Sequence, residues 1–385
     1  MEITNTIKYI GVDDKDIDLF ESQYPVKNGV SYNSYVIMDE KIAVMDTVDK
    51  RKTSQWLENL ENILAGKQPD YLVISHLEPD HAANIGLIAQ KYPNVTLVGN
   101  AKTFAMLPQF FNIDPGVKKL TVKEGDTLSL GSHTLTFVMA PMVHWPEVMV
   151  EYESSEKILF SADGFGKFGA LDCNEPWADE ARRYYINIVG KYGAPVQTLL
   201  KKAAALDIEK ICPLHGPVLT ENLGCYIDLY NTWSLYKPET DGVLVAFASI
   251  HGNTAAAAEK MSQILKAKGC ADVKVCDLSR TDVSFAVADA FKYDKIVLMA
   301  ASYDGGVFPP METFIAHLKT KAFQNRKIAL CENGSWAPCA NRVMKAALES
   351  MKNISVCENT VTIKSVMKPA DIAAMEAMAD ELLNN

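Results

Sequence analysis

No apolar run in these 385 residues approaches the roughly 18 that a membrane span requires. The opening stretch, MEITNTIKYIGVDDKDIDLF, lacks the basic segment and apolar core of a secretory signal. Both absences point to a cytoplasmic protein without a membrane partner. Basic charge is not in excess: Asp and Glu outnumber Lys and Arg, the formal net charge is −10, and nucleic acid is disfavoured as a partner. None of the eight cysteines (Cys173, Cys212, Cys225, Cys270, Cys276, Cys331, Cys339 and Cys357) falls in a CxxC pair. That argues against a rubredoxin module, a ferredoxin-type cluster motif and a zinc ribbon. There is no internal repeat, no low-complexity segment, and neither GxGxxG nor GxxxxGK[ST], which argues against a dinucleotide-binding or P-loop site.

What is present reads as two domains, residues 1–238 and 239–385. In the first, short strand-like runs such as SYNSYVIM, KIAVMDT, DYLVISH, TLVGN, HTLTFVMA, KILFSAD and KICPLH are bounded by turn-formers. Helical stretches alternate with them, including DKRKTSQWLENLENILAG and EARRYYINIVGKYGAPVQTLLKKAAAL. The segment YKPETDG then reads as a linker. Beyond it, GVLVAFAS, ADVKVCDL, KIVLMAAS and RKIALCEN are apolar strands separated by helices, the pattern of a doubly wound parallel sheet.

The richest chemistry lies in HLEPDH. In an extended loop, residues two apart share a face, so His76, Glu78 and Asp80 can converge, with His81 next in line. Three later strands also end in a potential ligand: LTFVMAPMVHW at His144, KILFSADGFG at Asp163 and KICPLHGP at His215. Four of the seven histidines fall in these segments. Four imidazoles and three carboxylates are too many for one ion, so two metals are expected, with Asp163 as the bridging carboxylate. The mixed set, with Glu78 two residues after the first histidine, suits iron or manganese better than zinc.

A second constellation lies on three loops at the carboxyl ends of the later strands. SIHGNT offers Ser249, His251, Gly252, Asn253 and Thr254 at a helix N-terminus, where backbone N–H groups can bind a phosphate without Lys or Arg. ASYDGG contributes Ser302, Tyr303, Asp304 and Gly305, and ENGSWAP contributes Asn333, Gly334, Ser335, Trp336 and Ala337. Aromatics there can cover an isoalloxazine ring, so FMN is the expected cofactor.

With GVSYNSYVI, HxExDH in place of the HxHxDH of related hydrolases, HWPEVM, FSADGFG, RRYYINIV and PLHGP, the chain resembles the flavodiiron proteins over nearly its whole length. The resemblance implies an N-terminal metallo-β-lactamase-like αββα sandwich followed by a flavodoxin-like domain. It implies a first iron on His76, Glu78 and His144, a second on Asp80, His81 and His215, and Asp163 between them. It also implies reduction of O₂ to water, of NO to N₂O, or of both, and a separate rubredoxin-like electron donor. A head-to-tail homodimer, or a tetramer built from it, would bring the flavin of one chain to the irons of the other. Trp145, Tyr184 and Tyr185 are candidates for lining the gas pocket. Two rivals stand beside this reading: a di-zinc hydrolase on the same scaffold, and a flavodoxin-type electron carrier with a merely structural metal domain.

Overall fold

The computed structural model describes residues 3–384. They form two compact units that divide between Asn231 and Thr232, inside the helix Leu223–Ser234 and ahead of the expected linker.

The first unit is an αββα sandwich built on two sheets. One runs in the order Ile7–Tyr9, Tyr35–Ile37, Ala43–Met45, Tyr71–Val73, Thr96–Asn100, Lys118–Val122, with antiparallel pairs first and parallel pairs after Ala43–Met45. The other runs Thr127–Ser129, Thr134–Met139, Met149–Glu153, Ile158–Phe160, Lys210–Cys212. Side chains alternate across each strand. Val73 and Val98 therefore enter the layer between the sheets, with Phe137, Met149 and Phe160, while Leu72, Ile74 and Leu97 face the outer helices. The helix Thr53–Leu64 closes that outer layer through Trp56, Leu60 and Leu64, one helical turn apart and fully buried.

The second unit is a parallel sheet in the order Val273–Asp277, Thr240–Ala248, Tyr293–Tyr303, Arg326–Asn333, Ile354–Val356. Helices Asn253–Ala267 and Pro369–Leu383 share one face, burying Ala257, Met261 and Leu265 against Met375 and Met378. Helices Val283–Lys292, Pro309–Thr320 and Ala340–Leu348 pack together on the other. Both faces are covered, which is why Val243 to Ala248 are buried without alternation. The strand order is flavodoxin-like, and it reverses between Thr240–Ala248 and Tyr293–Tyr303, opening a crevice at their carboxyl ends.

Two local expectations give way. SYNSYVIM reads as one strand but forms two, Val30–Tyr32 and Tyr35–Ile37, which pair in different sheets. The break falls where the buried Asn33 amide donates to Pro213 O and Gly216 O, each at 2.8 Å, a pairing that a continuous strand would not allow. The long helical stretch EARRYYINIVGKYGAPVQTLLKKAAAL is likewise interrupted. It runs as Trp177–Tyr184, a π turn at Tyr185–Val189, a 3₁₀ turn at Gly190–Tyr192 and a second helix, Gly193–Ala203. Gly190 and Gly193 weaken the α-helix there, and π turns are frequent where a helix is adjusted to a functional site. Because Leu60 is wholly buried under the first sheet, Leu60→Ala should cost the N-terminal unit about 2–5 kcal/mol. Its denaturant midpoint relative to wild type measures this, and an unchanged midpoint would contradict the packing.

Candidate functional site

All seven predicted metal ligands come off strand ends of the first unit. His76 follows Tyr71–Val73, and Glu78 caps a single helical turn, Pro79–Ala82, whose initial proline fixes the chain direction and which carries Asp80 and His81. His144 lies between Thr134–Met139 and Met149–Glu153, Asp163 follows Ile158–Phe160, and His215 follows Lys210–Cys212.

The structure brings them together as two groups around one carboxylate. Asp163 Oδ2 lies 3.0 Å from His144 Nε2 and 3.4 Å from His76 Nε2. Glu78 Oε2 completes that group at 2.9 Å from His144 Nε2. Asp163 Oδ1 turns the other way, 3.8 Å from His215 Nε2. There Asp80 Oδ2 is 3.2 Å from His215 Nε2 and 3.4 Å from His81 Nε2. The His81 and His215 Nε2 atoms are 3.0 Å apart. His76, His81, Asp163 and His215 are buried, whereas Glu78, Asp80 and His144 keep some exposure, so the cluster opens on their side.

The protons do not settle this cluster. Burial opposes a charged His76, yet Asp163 outweighs it and lifts the imidazole to about 10. Burial likewise opposes a charged His144, but Asp163 and Glu78 raise it well above its ordinary value. Asp163, despite burial, is held well below the usual carboxylate range by His76 and His144. Burial and the charge of Asp80 lift Glu78 to about 7. His81 goes the opposite way: burial, aided by the neighbouring imidazoles, pushes it down to about 3, which leaves a neutral ring with a lone pair to offer. Among the described residues, His76 Nδ1 and Nε2, Asp80 Oδ1, His144 Nε2 and Asp163 Oδ1 are buried with no hydrogen-bond geometry to any partner. Buried polar atoms are normally satisfied. Ligand-type atoms brought this close together while several stay unsatisfied fit cations held between them. His215 shows the arrangement in full: its Nδ1–H donates to Ser31 O at 2.7 Å, leaving Nε2 free as a ligand.

Several residues that fix the ligands carry no metal-binding signature. Glu147 Oε1 accepts the Leu77 N–H at 2.9 Å, inside HLEPDH, and Asn100 holds Glu147 O at 2.6 Å. Thr47 donates its N–H and its hydroxyl to His81 O, at 2.8 and 2.7 Å. The rings of Phe20 and Tyr184 stand 5.4 and 5.3 Å from the His215 ring, and Tyr32 packs on both His81 and His215. The one available signal was position: Ser31, Tyr32 and Asn33 lie in GVSYNSYVI, and Glu147 in HWPEVM.

Of the three aromatic candidates, Tyr184 reaches the cluster. Burial and the charges of Asp163, Asp80 and Glu78 raise its hydroxyl well above the ordinary value. Trp145 is half-buried and packs on Phe110 at 6.0 Å, while the Tyr185 ring packs on Tyr230 at 5.0 Å.

In the second unit, the three predicted loops line one cavity of about 520 Å³. Its walls include Ser249, His251, Asn253, Thr254, Ser302, Tyr303, Asp304, Gly305, Asn333, Gly334, Ser335, Trp336 and Ala337. Ile250, Ala301, Cys339 and Ser365 also line it, and sequence reasoning did not name them. Gly252 stands just before helix Asn253–Ala267 with φ +90°, a conformation only glycine adopts readily, and its N–H donates to Ser249 Oγ at 3.1 Å. No Lys or Arg lines the cavity, so an anion there would rest on that helix N-terminus and on hydroxyls. Ser302 Oγ is already engaged, accepting the N–H groups of Cys339 and Ala340 at 2.9 and 3.1 Å. Trp336 is 85% exposed and Tyr303 45%, leaving both ring faces open at the rim.

Comparison with known proteins follows the same division. Residues 30–216 match the family model of the ODP family beta lactamases, and residues 244–361 match that of a flavodoxin domain. The anaerobic nitric oxide reductase flavorubredoxin of Vibrio vulnificus is 28% identical over 348 residues, covering 87% of this chain and 70% of its own length. An uncharacterized protein of Methanocaldococcus jannaschii is 27% identical over 375 residues, 96% of this chain and 94% of its own. The solved rubredoxin oxygen:oxidoreductase of Desulfovibrio gigas superposes with a TM-score of 0.92 at 25% identity, covering 100% of this chain and 97% of that one. The flavodiiron protein of Giardia intestinalis gives 0.89 at 23% identity, covering 99% and 95%.

Glu147→Ala would leave the buried Leu77 N–H without its acceptor. We expect a loss of about 1–3 kcal/mol in the stability of the N-terminal unit, together with weaker metal retention under chelator. Unaltered thermal unfolding and retention would show that this bond does not hold the loop.

Proposed function

Because this chain belongs to the flavodiiron proteins, we propose that it is an oxidoreductase that reduces O₂ to water, NO to N₂O, or both, at a di-iron centre fed through FMN. The division of the Asp163 oxygens between two donor groups carries the reading. In it, His76, Glu78 and His144 would hold one iron, Asp80, His81 and His215 the other, and Asp163 would serve both. Residues 1–238 form the di-iron domain and residues 239–385 the FMN domain. When bound, FMN supplies the conversion of paired to single electrons, and the iron pair supplies a reducing site for a diatomic gas.

The chain's own residues provide place and access. Ser31 O, by accepting a hydrogen bond from His215 Nδ1–H, fixes the tautomer that leaves Nε2 toward the metal. Phe20, Tyr32 and Tyr184 wall the His215 side against water, and the partial exposure of Glu78, Asp80 and His144 marks the side by which a small gas enters. Of the three aromatic candidates, Tyr184 stands at the cluster, whereas Trp145 and Tyr185 pack on Phe110 and Tyr230. In the FMN cavity, the N-terminus of helix Asn253–Ala267, with Ser249 and Thr254, takes the phosphate, while Trp336 and Tyr303 cover the ring.

Electrons come from a separate rubredoxin-like protein, a reading supported by the likeness to the rubredoxin oxygen:oxidoreductase of Desulfovibrio gigas. A head-to-tail homodimer, or a tetramer of such dimers, sets the flavin of one chain against the irons of its partner. The protein works in the cytoplasm; among the described residues no helix is long and apolar enough to cross a membrane.

Metal analysis and the absorption spectrum of the purified protein should give about two irons and one yellow FMN per chain. Zinc in a colourless protein would sink the reading in favour of a hydrolase. Asp163→Ala should abolish O₂ and NO consumption while FMN stays bound. Gas consumption that survives this substitution would refute the bridging role.

A further inference from the structure

Two more carboxylates, outside the metal cluster, are buried beside Ser75, the residue that precedes His76. Asp46 follows the strand Ala43–Met45 and is 3% exposed, and Glu151 lies midway along Met149–Glu153 and is 0% exposed. Asp46 Oδ1 accepts the Ser75 N–H at 2.8 Å, and Asp46 Oδ2 lies 2.6 Å from Ser75 Oγ. Glu151 Oε2 lies 3.1 Å from the same Ser75 Oγ. Glu151 Oε1 has no partner among the described residues. The Met149 N–H donates to Ser75 O at 3.0 Å, so the strand that bears Glu151 is also sewn to the backbone of Ser75.

The hydrogens of this trio can be counted. A serine hydroxyl has one proton to give, and two carboxyl oxygens stand within its reach. Asp46 already accepts the Ser75 amide and makes the shorter contact, so it is the anion that takes the hydroxyl proton. If Glu151 were also ionised, its Oε2 and Ser75 Oγ would face each other as two bare acceptors 3.1 Å apart with no water between them. A proton on Glu151 Oε2 turns that contact into a donated hydrogen bond and removes the cost of a second buried charge. Burial and the charge of Asp46 act on Glu151 in the same direction, raising it well above the ordinary carboxylate range.

We propose that Glu151 is a positioning residue held as a neutral carboxylic acid: it donates to Ser75, locks the strand end that carries His76, and leaves one negative charge instead of two beside that ligand. The proposal rests on the reading of His76 as a metal ligand. Residues that orient ligands typically alter metal affinity about 10–100-fold when removed. Glutamine retains a donor at the same place, and leucine has similar volume but none.

The test uses the loaded full-length protein. The infrared spectrum of wild type should show a protonated-carboxyl C=O band that shifts in D₂O and is missing from Glu151→Gln. Iron retention under chelator should fall about 10-fold in Glu151→Leu and stay near wild type in Glu151→Gln. Absence of a band difference between wild type and Glu151→Gln would show Glu151 ionised and overturn the proposal. Equal iron retention in the two variants would overturn its positioning role. Should Glu151→Leu not fold, the Gln variant alone decides: loss of iron from it refutes the proposal, and retained iron with a vanished band upholds it. Zinc or missing FMN in wild type would instead defeat the functional reading, and the infrared band would still report on Glu151.

Discussion

Asp163 is a buried carboxylate whose two oxygens serve two different sets of donors, and that split organises the N-terminal unit. One oxygen faces His144 and His76, the other faces His215. Those histidines come from both sheets, His76 from the strand Tyr71–Val73 and His215 from Lys210–Cys212. The apolar layer between the sheets, with Val73, Phe160 and Cys212 in it, fixes the separation of these strand ends. Ligand geometry and core packing are thus one constraint here. A shift of either sheet would pull one donor set away from an oxygen of Asp163.

Crowding seven ionisable side chains costs desolvation that they cannot repay among themselves. The residues around them show how the fold bears it. Backbone groups are pinned first: Leu77 N–H to Glu147, Ser75 N–H to Asp46, His81 O to Thr47, and His215 Nδ1 to Ser31 O. None of these bonds uses an atom that faces the cluster, so the loops are anchored through groups other than the donor atoms. Among the ring nitrogens and carboxylate oxygens that remain unsatisfied are several of the cluster: His76 Nε2, Asp80 Oδ1, His144 Nε2 and Asp163 Oδ1. Preorganisation of this kind places the strain on the ligand atoms, where a cation relieves it, and not on the backbone.

The C-terminal unit solves a different problem with different means. Its cavity must take an anionic group and a flat ring without any cationic side chain in its walls. The helix Asn253–Ala267 offers its N-terminal N–H groups where the strand order reverses, and Gly252 lets the chain turn into that helix. Asn333 is held by both its side-chain oxygen and its amide to the Ser365 backbone, at 3.0 and 2.9 Å, which steadies the loop that carries Trp336. Among the described residues, Asp304 is the one carboxylate in a wall without Lys or Arg, so the cleft offers a reduced, anionic ring no lysine or arginine charge.

How much of this the sequence disclosed depends on what each residue is for. The residues proposed as metal ligands were legible as a group because coordination demands particular side chains, and His76, Glu78, Asp80 and His81 stand within one loop. The alternation of apolar strands and helices likewise disclosed the doubly wound sheet of the second unit, whereas the αββα sandwich of the first was implied by the resemblance. The supporting residues stayed hidden for a physical reason. Ser31, Asn33 and Thr47 act through backbone bonds to segments far along the chain, as Asn33 does to Pro213, and a lone serine or asparagine in a strand carries no mark of its partner. The break in SYNSYVIM falls at the same kind of residue, since Asn33 there holds the loop on both sides of His215 through Pro213 O and Gly216 O. Glu151 is the sharpest case. In MVEYE it alternates like any strand carboxylate facing solvent, yet it is wholly buried, and only the three-dimensional count of hydrogens around Ser75 reveals that it has to carry a proton. A ligand is recognised by its type, whereas a residue that positions a ligand is recognised by what it would leave unsatisfied.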